Sequence, residues 1–287
     1  MKAHDLSIFC APGGGPSLSF AGDRVADELL NGTLTVGDEQ IGRVVDGIIS
    51  FVSEPVNWPA ADIAQLRAKR QIEHSWENEI YHAAEVPTRL AFCEELAATD
   101  GLILEVAAGP GGGNVAPVLS RNPSARIIVN DVSLAVLQLW QEFLRARCLG
   151  SELCLAAFDA RRMPITSESV AGVSGALGFS SVSGLDVFRE TYRILQPDGV
   201  VFSDEMVVEP DDWARMPSDR RTEWEASMPS LTLGAGPLLA QHGFEVVSRE
   251  FVPGRELVPD EGGLPRDAAD HGVTLHIVWE YVRARKR

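Results

Sequence analysis

Glu105, Asp131 and Asp159 stand at the ends of three successive apolar runs, and the first of them leads into a glycine-rich turn. Leu102-Ile103-Leu104 read as a buried parallel strand, and Gly109-Pro110-Gly111-Gly112-Gly113-Asn114 as a tight loop opening a helix. A helix start presents free backbone N–H groups, and glycine lets a ligand come close to the backbone. Such a turn suits a nucleotide-type ligand. Asp131, about twenty residues beyond the glycines, is placed to accept hydrogen bonds from ribose hydroxyls. Its other reading is a charge at the start of the helix that Ser133 caps. Gly109-x-Gly111 is followed by Asn114 where a dinucleotide fingerprint has its third glycine, which argues against a nicotinamide cofactor.

These residues need a scaffold, and the chain supplies one by alternation. Strand Ala125–Val129 ends at Asn130-Asp131, and a helix runs from Ser133 to Leu149 with Gly150 at its stop. Strand Leu153–Phe158 ends at Asp159, and strand Val170–Val173 ends at Ser174-Gly175. A helix over about 184–195 and the turn Pro197-Asp198-Gly199 precede strand Val200-Val201-Phe202. Phe244–Val247 and Thr274–Tyr281 have no helix pattern between them and read as an antiparallel pair closing one edge. The prediction is an α/β fold, a doubly wound, mostly parallel, seven-stranded sheet. Ligands of such sheets sit beyond the carboxyl ends of the strands. Upstream, Ile63, Leu66, Ile72, Trp76 and Ile80 predict one helix from Asp62 to His82, and Pro87–Leu96 a second.

Composition narrows the partners. The net charge of −16 argues against nucleic acid, which needs a clustered basic face. Cys10, Cys93, Cys148 and Cys154 show neither CxxC nor metal-ligand spacing, so free thiols in a reducing cytosol are expected. Apolar runs are short, so no membrane span or signal peptide is expected and the location is read as cytoplasmic. A homodimer is left open.

Taken in order, Glu105-x-Ala107-x-Gly109-x-Gly111, Asp131-Val132, Asp159-Ala160 with Met163-Pro164, and Phe188 to Gly199 resemble the motifs of class I S-adenosylmethionine-dependent methyltransferases. The resemblance covers about residues 75–287, with Ala107 in place of the commonest glycine. It implies S-adenosylmethionine as cofactor and a small-molecule acceptor, methylated at an O, N or C atom by direct displacement. It gives Glu105, Ala107, Gly109, Pro110 and Gly111 the methionine part, and Asp131 the ribose. Val132 would face the adenine. Asp159 and Ala160 would contact its edge, with Asp159 on the exocyclic amine or serving only as a turn carboxylate. Ser174 and Gly175 would pass under the sulfonium, and Tyr81, beside Trp76, would cover the cofactor or pack in the core. His82 and Glu205 are the catalytic candidates for proton removal, with Asp204 and Glu209 further candidates. A histidine near a helix end also reads as a surface residue. The segment from Val207 to Gly236, with Trp213, Met216, Trp224 and Met228, is a substrate lid or a surface helix pair. A non-catalytic S-adenosylmethionine-binding protein and an RNA methyltransferase are the alternatives.

Residues 1–60 read as a small β-rich unit set before the main domain at 61–287. Leu6 to Pro12 and Val45-Asp46-Gly47-Ile48 resemble the two ends of a zinc-ribbon-like segment that opens some bacterial methyltransferases. Of its four cysteines only Cys10 is present, so a metal-free remnant is expected.

Overall fold

A computed structural model of the chain describes residues 2–52, 59–149, 152–227, 229–256 and 275–287. Strands β1 (Ser19–Val25), β2 (Glu28–Val36), β3 (Glu39–Val45) and β4 (Ile48–Ser50) pair antiparallel in succession. Helices α1 (Ala60–Ala68), α2 (Gln71–Glu85) and α3 (Pro87–Ala98) lead into the alternating part. That part runs β5 (Leu102–Glu105), α4 (Val115–Arg121), β6 (Arg126–Asp131), α5 (Leu134–Ala146) and β7 (Leu153–Ala157). It continues with β8 (Val170–Ala176), α6 (Asp186–Ile194) and β9 (Leu195–Val208). Helices α7 (Pro210–Arg215), α8 (Ser218–Ser227), α9 (Pro229–Leu233) and α10 (Ala235–Gln241) precede β10 (Phe244–Glu256) and β11 (His276–Lys286).

Among the described residues eleven strands form one sheet, ordered β1-β2-β3-β4-β7-β6-β5-β8-β9-β11-β10. Strands β5 to β9 are mutually parallel where they pair, and β11 runs antiparallel between β9 and β10. The two faces are covered by different helices, which is why the central strands are apolar on both sides. One layer packs Phe188, Leu238 and Phe179 against the sheet, and the other packs Phe92, Trp140 and Phe202. Ser133 caps α5 by accepting a hydrogen bond from the Val136 amide at 3.3 Å. Gly150, the expected stop, lies outside the described residues.

Two expectations are corrected. The sheet has eleven strands rather than seven, because β4 pairs parallel with β7 through Ile49 opposite Ala156 and Ser50 opposite Ala157. Without that pairing β7 would present a bare row of backbone donors and acceptors. Leu34, Ile48 and Ile49 are wholly buried, so residues 2–52 extend the main sheet and share its core. Cys10 is buried there beside Phe9, whose ring stacks on Phe51 at 6.1 Å. Among the described residues no cluster of three His, Cys, Asp or Glu side chains is set to hold a metal. Second, the single helix expected over Asp62–His82 is broken at Arg70, whose φ of +51° ends α1 and starts α2. Only α2 buries side chains, Ile72 and Trp76 among them, and the turn lets it lie along α5 independently of α1. Among the described residues no helix is long and apolar enough to cross a membrane.

If the β1–β4 extension belongs to the one cooperative core, Leu34→Ala should destabilise the whole protein by about 2–5 kcal/mol. Urea unfolding followed by circular dichroism should show a single transition shifted to lower urea. An early transition confined to the variant, with the main one unmoved, would instead make residues 2–52 an independent unit.

Candidate functional site

The loop between β5 and α4 is shaped from beneath. Gly112 and Gly113 have φ of +73° and +52°, and a Cβ on them would collide with the Trp140 indole and the Glu105 carboxylate respectively. Trp140 also donates its Nε1–H to the Gly109 carbonyl at 2.9 Å. Gly111, by contrast, would meet nothing within 4 Å, so the loop is open on its outer side. Ala107 sits at φ +47°, a left-handed conformation that costs an L-residue about 1–2 kcal/mol. The Asn130 side chain accepts its amide hydrogen at 3.2 Å.

A cavity of about 560 Å³ opens at the carboxyl ends of β6 and β7, beside this loop. Of the predicted cofactor residues it is lined by Ala107, Gly109, Asp131, Val132, Asp159 and Ala160. Phe51 and Val52, which follow β4, form part of its wall together with Phe158 and Val182. Asp131 is buried. Its Oδ2 accepts the Gly109 amide hydrogen at 2.9 Å and its Oδ1 that of Ser133 at 2.7 Å. Burial raises its pKa against the pull of those two donors. Asp159 behaves oppositely. Arg161 forks onto it with Nε at 3.0 Å and Nη2 at 2.6 Å, holding the carboxyl below its usual range. Arg161 Nη1 also donates to the Ser183 hydroxyl at 3.3 Å, spanning the cavity from the β7 side to the β8 side.

Beneath the loop lies a buried charged cluster. Glu105 accepts the amide hydrogens of Asn114 at 3.3 Å and Ala176 at 3.4 Å. Asn114 donates to Ser174 Oγ at 3.0 Å and to Asp204 at 3.3 Å, and accepts from Arg89 Nε at 3.1 Å. The Arg89 guanidinium pairs with Asp204 at 3.1 Å and Glu79 at 2.6 Å. Burial pushes Glu105 up to about 8 and Asp204 up to about 6, the latter against the attraction of Arg89. Burial likewise pushes Cys93, whose Sγ lies 3.6 Å from Asn114 Oδ1, up to about 12.

Not every predicted residue reaches the cavity. Pro110 and Gly111 lie on the loop but outside the cavity lining, and Ser174 and Gly175 lie beneath it. Tyr81 and His82 are exposed on the outside of α2, with the two rings packed edge-on at 5.9 Å and His82 3.8 Å from Glu85. The buried face of α2 is set by Ile72 and Trp76, which turns both residues outward. Glu205 is wholly buried, with its carboxylate accepting the amide hydrogens of Phe179 and Ser180 at 3.0 Å each. Glu205 braces the segment after β8, and neither it nor the exposed His82 is among the residues lining the cavity.

Three participants were missed from sequence. Asn114 reads from sequence as the residue that breaks a fingerprint and opens a helix, yet its side-chain amide meets Arg89, Cys93, Ser174 and Asp204 where a glycine would meet none. Arg89 shares the buried stripe of α3 with Phe92, Cys93 and Leu96, a cation at an apolar position that periodicity alone could have flagged. Phe51 carried no signal, because its role depends on β4 joining the sheet. Over the ends of β9 and β11, Trp213 and Trp224 pack at 5.8 Å with Met216, Leu231 and Ile277 in a satellite core. Met228 lies outside the described residues.

Residues 106–203 match the family model described as a methyltransferase domain. The demethylmenaquinone methyltransferase of Lactobacillus johnsonii is 32% identical over 99 residues, 34% of this chain and 41% of that protein. The chain thus spans well under half the length of the curated relative it matches. Among solved structures, the [4+2]-cyclase SpnF aligns over 69% of this chain and 81% of its own, at 20% identity and a TM-score of 0.53. A sarcosine dimethylglycine methyltransferase assigned from Galdieria sulphuraria aligns over 73% and 85%, at 15% identity and a TM-score of 0.51. These likenesses establish the shared fold.

The buried carboxyls make stability depend on pH in a defined direction. Glu105 titrates near 8 in the folded chain and in the ordinary carboxylate range when unfolded. Its contribution is therefore complete below the ordinary range and is lost as pH rises through about 8; Asp204 and Glu205 shift the same way. Thermal melts should show Tm falling between pH 5 and 8.5, and Glu105→Gln should flatten part of that fall. An unchanged slope in the variant would place the titrating group elsewhere.

Proposed function

We infer that this chain is an S-adenosylmethionine-dependent methyltransferase acting on a small-molecule acceptor. One observation carries the reading: Asp131 and Asp159 face a single cavity beside a loop whose outer side is open. A ribose brings hydroxyl donors, and Asp131 is a carboxylate with lone pairs left after its two backbone bonds. An adenine brings a flat apolar face for Val132, Phe158 and Val182, and an amine for Asp159. The cavity volume falls in the range of small-ligand sites. The residues therefore fit the cofactor, and the methyltransferase-domain match over residues 106–203 supports the same reading.

When bound, S-adenosylmethionine supplies an activated methyl group for transfer to a nucleophilic atom of the acceptor. The protein's own work is alignment and exclusion of water. Glu105 and Asn114 fix the loop from below, so that Gly109 and Ala107 present backbone at a set position. Asp131 orients the sugar. Arg161, anchored on Asp159 and Ser183, stands across the cavity and shares Asp159 with the base or swings away on binding. The segment 207–236 covers the acceptor side. No side chain lining the cavity is assigned as a general base, and direct displacement to a good nucleophile does not require one.

The reading is tested by thermal unfolding with S-adenosylmethionine, S-adenosylhomocysteine and NAD in parallel. A ligand at a hundred times its Kd stabilises by about 2.7 kcal/mol, which for a chain of this length raises Tm by very roughly 3–8 °C. The rise is expected with the two sulfur ligands, absent with NAD, and abolished by Asp131→Ala. Stabilisation by NAD alone would overturn the assignment. Sulfur-ligand binding with no methyl transfer to any acceptor would favour a binding protein over an enzyme.

A further inference from the structure

A second cavity, of about 430 Å³, lies between helices α7–α9 and the ends of β9, β10 and β11. Its walls are apolar, with Val207, Val208, Trp213 and Val278 inside and Leu233 and Phe251 at the opening. Leu233 and Phe251 are 42% and 48% exposed, among the most exposed large apolar residues described. Two such residues flanking one cavity mark an entrance for an apolar ligand, since the chain gains nothing by leaving both in water.

The charges at this cavity are unequal in kind. Arg249 is satisfied: it pairs with the wholly buried Glu280 and lies 4.6 Å over the Phe251 ring. Arg221 has no ion pair or side-chain hydrogen bond among the described residues. Its neighbours differ, for Arg215 pairs with Asp212 and Arg220 with Glu223. In a chain with 41 acidic and 25 basic side chains, a half-buried guanidinium without a carboxylate is not explained by a shortage of partners. Nor does helix stability explain it, because Arg221 sits in the first turn of α8, where a cation is least favoured. Glu209 also lines the cavity without an ion pair among the described residues. Arg221 cannot shed its charge, and its planar fork of N–H donors matches a carboxylate entering from the apolar part of the cavity. The lining therefore favours an anion.

The place of the cavity relates it to the first site. Val207 lies on the same face of β9 as Glu205, two residues or about 7 Å further along the strand. Glu205 holds the amides of Phe179 and Ser180, and the segment it holds continues into Ser181, Val182 and Ser183 of the cofactor cavity. Strand β9 thus lines the second cavity through Val207 and Val208 and, through Glu205, holds the segment that runs on into the lining of the first.

We propose that this second cavity receives the methyl acceptor, and that the acceptor is a small apolar acid whose carbon body fills the cavity while its carboxylate pairs with Arg221; a separate nucleophilic atom of that acid bonds to the methyl as the S–CH3 bond of the sulfonium breaks to leave the neutral thioether, and the proton that atom carried passes to water. The acceptor role rests on the methyl-transfer reading; the chemistry of binding rests on the cavity alone.

Isothermal titration of the full chain with decanoate, decan-1-ol and decyltrimethylammonium tests it, all below their micellar concentrations. Decanoate should bind most tightly. Arg221→Gln should weaken decanoate by about tenfold or more while leaving decan-1-ol within about twofold, with Tm and S-adenosylhomocysteine affinity unchanged. Val278→Trp, which fills the cavity, should abolish binding of both decanoate and decan-1-ol. Preference for the cationic amphiphile, equal decanoate affinity in Arg221→Gln, or undiminished binding in Val278→Trp would each overturn the proposal. Wild-type protein that binds S-adenosylhomocysteine but no decanoate overturns this proposal and spares the methyl-transfer reading. Protein that binds decanoate but neither sulfur ligand overturns that reading, and the acceptor role with it.

Discussion

The Arg89 guanidinium is the point on which the site depends. It is buried, it cannot be neutralised, and it meets Asp204 of β9, Glu79 of α2 and Asn114 at the start of α4. Through Asn114 the same set reaches Ser174 of β8 and Glu105 of β5. Six segments are thereby held by one network of hydrogen bonds and ion pairs, most of whose members are buried away from water. Breaking a buried pair by removing one member costs about 3–5 kcal/mol, because the other charge is left stranded. The cluster is thus a constraint on position more than a source of net stability. Each element must return to the same place for the charges to be met.

That constraint is transmitted to the loop. Glu105 cannot satisfy the amides of Asn114 and Ala176 unless the chain at Gly113 passes directly over it, which only a residue without a Cβ can do. Trp140 imposes the same demand at Gly112 from the α5 side. The loop is pressed from below by a carboxylate and an indole, and only its outer side, at Gly111, stays open. Asp131 then ties Gly109 to the capped start of α5, so the cavity floor and the helix that borders it move as one body.

The sequence was most legible where a local rule and a tertiary demand coincide. The apolar run at Leu102, the cap at Ser133 and the carboxylates closing β6 and β7 follow from period, cap chemistry and strand-end position, and each of these needs only a few neighbouring residues. Long-range pairing was not legible. Nothing local in Ile48-Ile49-Ser50 distinguishes a strand that ends a small unit from one that joins β7 a hundred residues later. Phe51 enters the cavity wall only because of that pairing. The same holds for Glu205: its place on β9 was readable, although the strand runs on to Val208, but its direction toward Phe179 is fixed by strand alternation combined with the face on which the segment after β8 packs. Tyr81 and His82 lie on the face of α2 opposite Ile72 and Trp76, a direction fixed by what that helix packs against rather than by their own residue types.

Alternation along β9 also explains why one strand can serve two purposes. Asp204 and Glu205 are adjacent carboxylates pointing to opposite faces of the sheet. Asp204 meets the Arg89 cluster and so fixes the loop over β5, whereas Glu205 meets the backbone after β8 and fixes the segment that runs into the cofactor cavity. Each satisfies a different set of donors, and burial raises both of their pKa values because neither is solvated. A shift of the strand by a single residue would exchange the two faces and take each carboxylate away from the donors it now meets. The register of β9 between β8 and β11 is therefore specified by charge as well as by hydrophobic pattern. The lining of the second cavity follows from that register as well, since Val207 and Val208 lie two and three residues beyond Glu205 on the same strand.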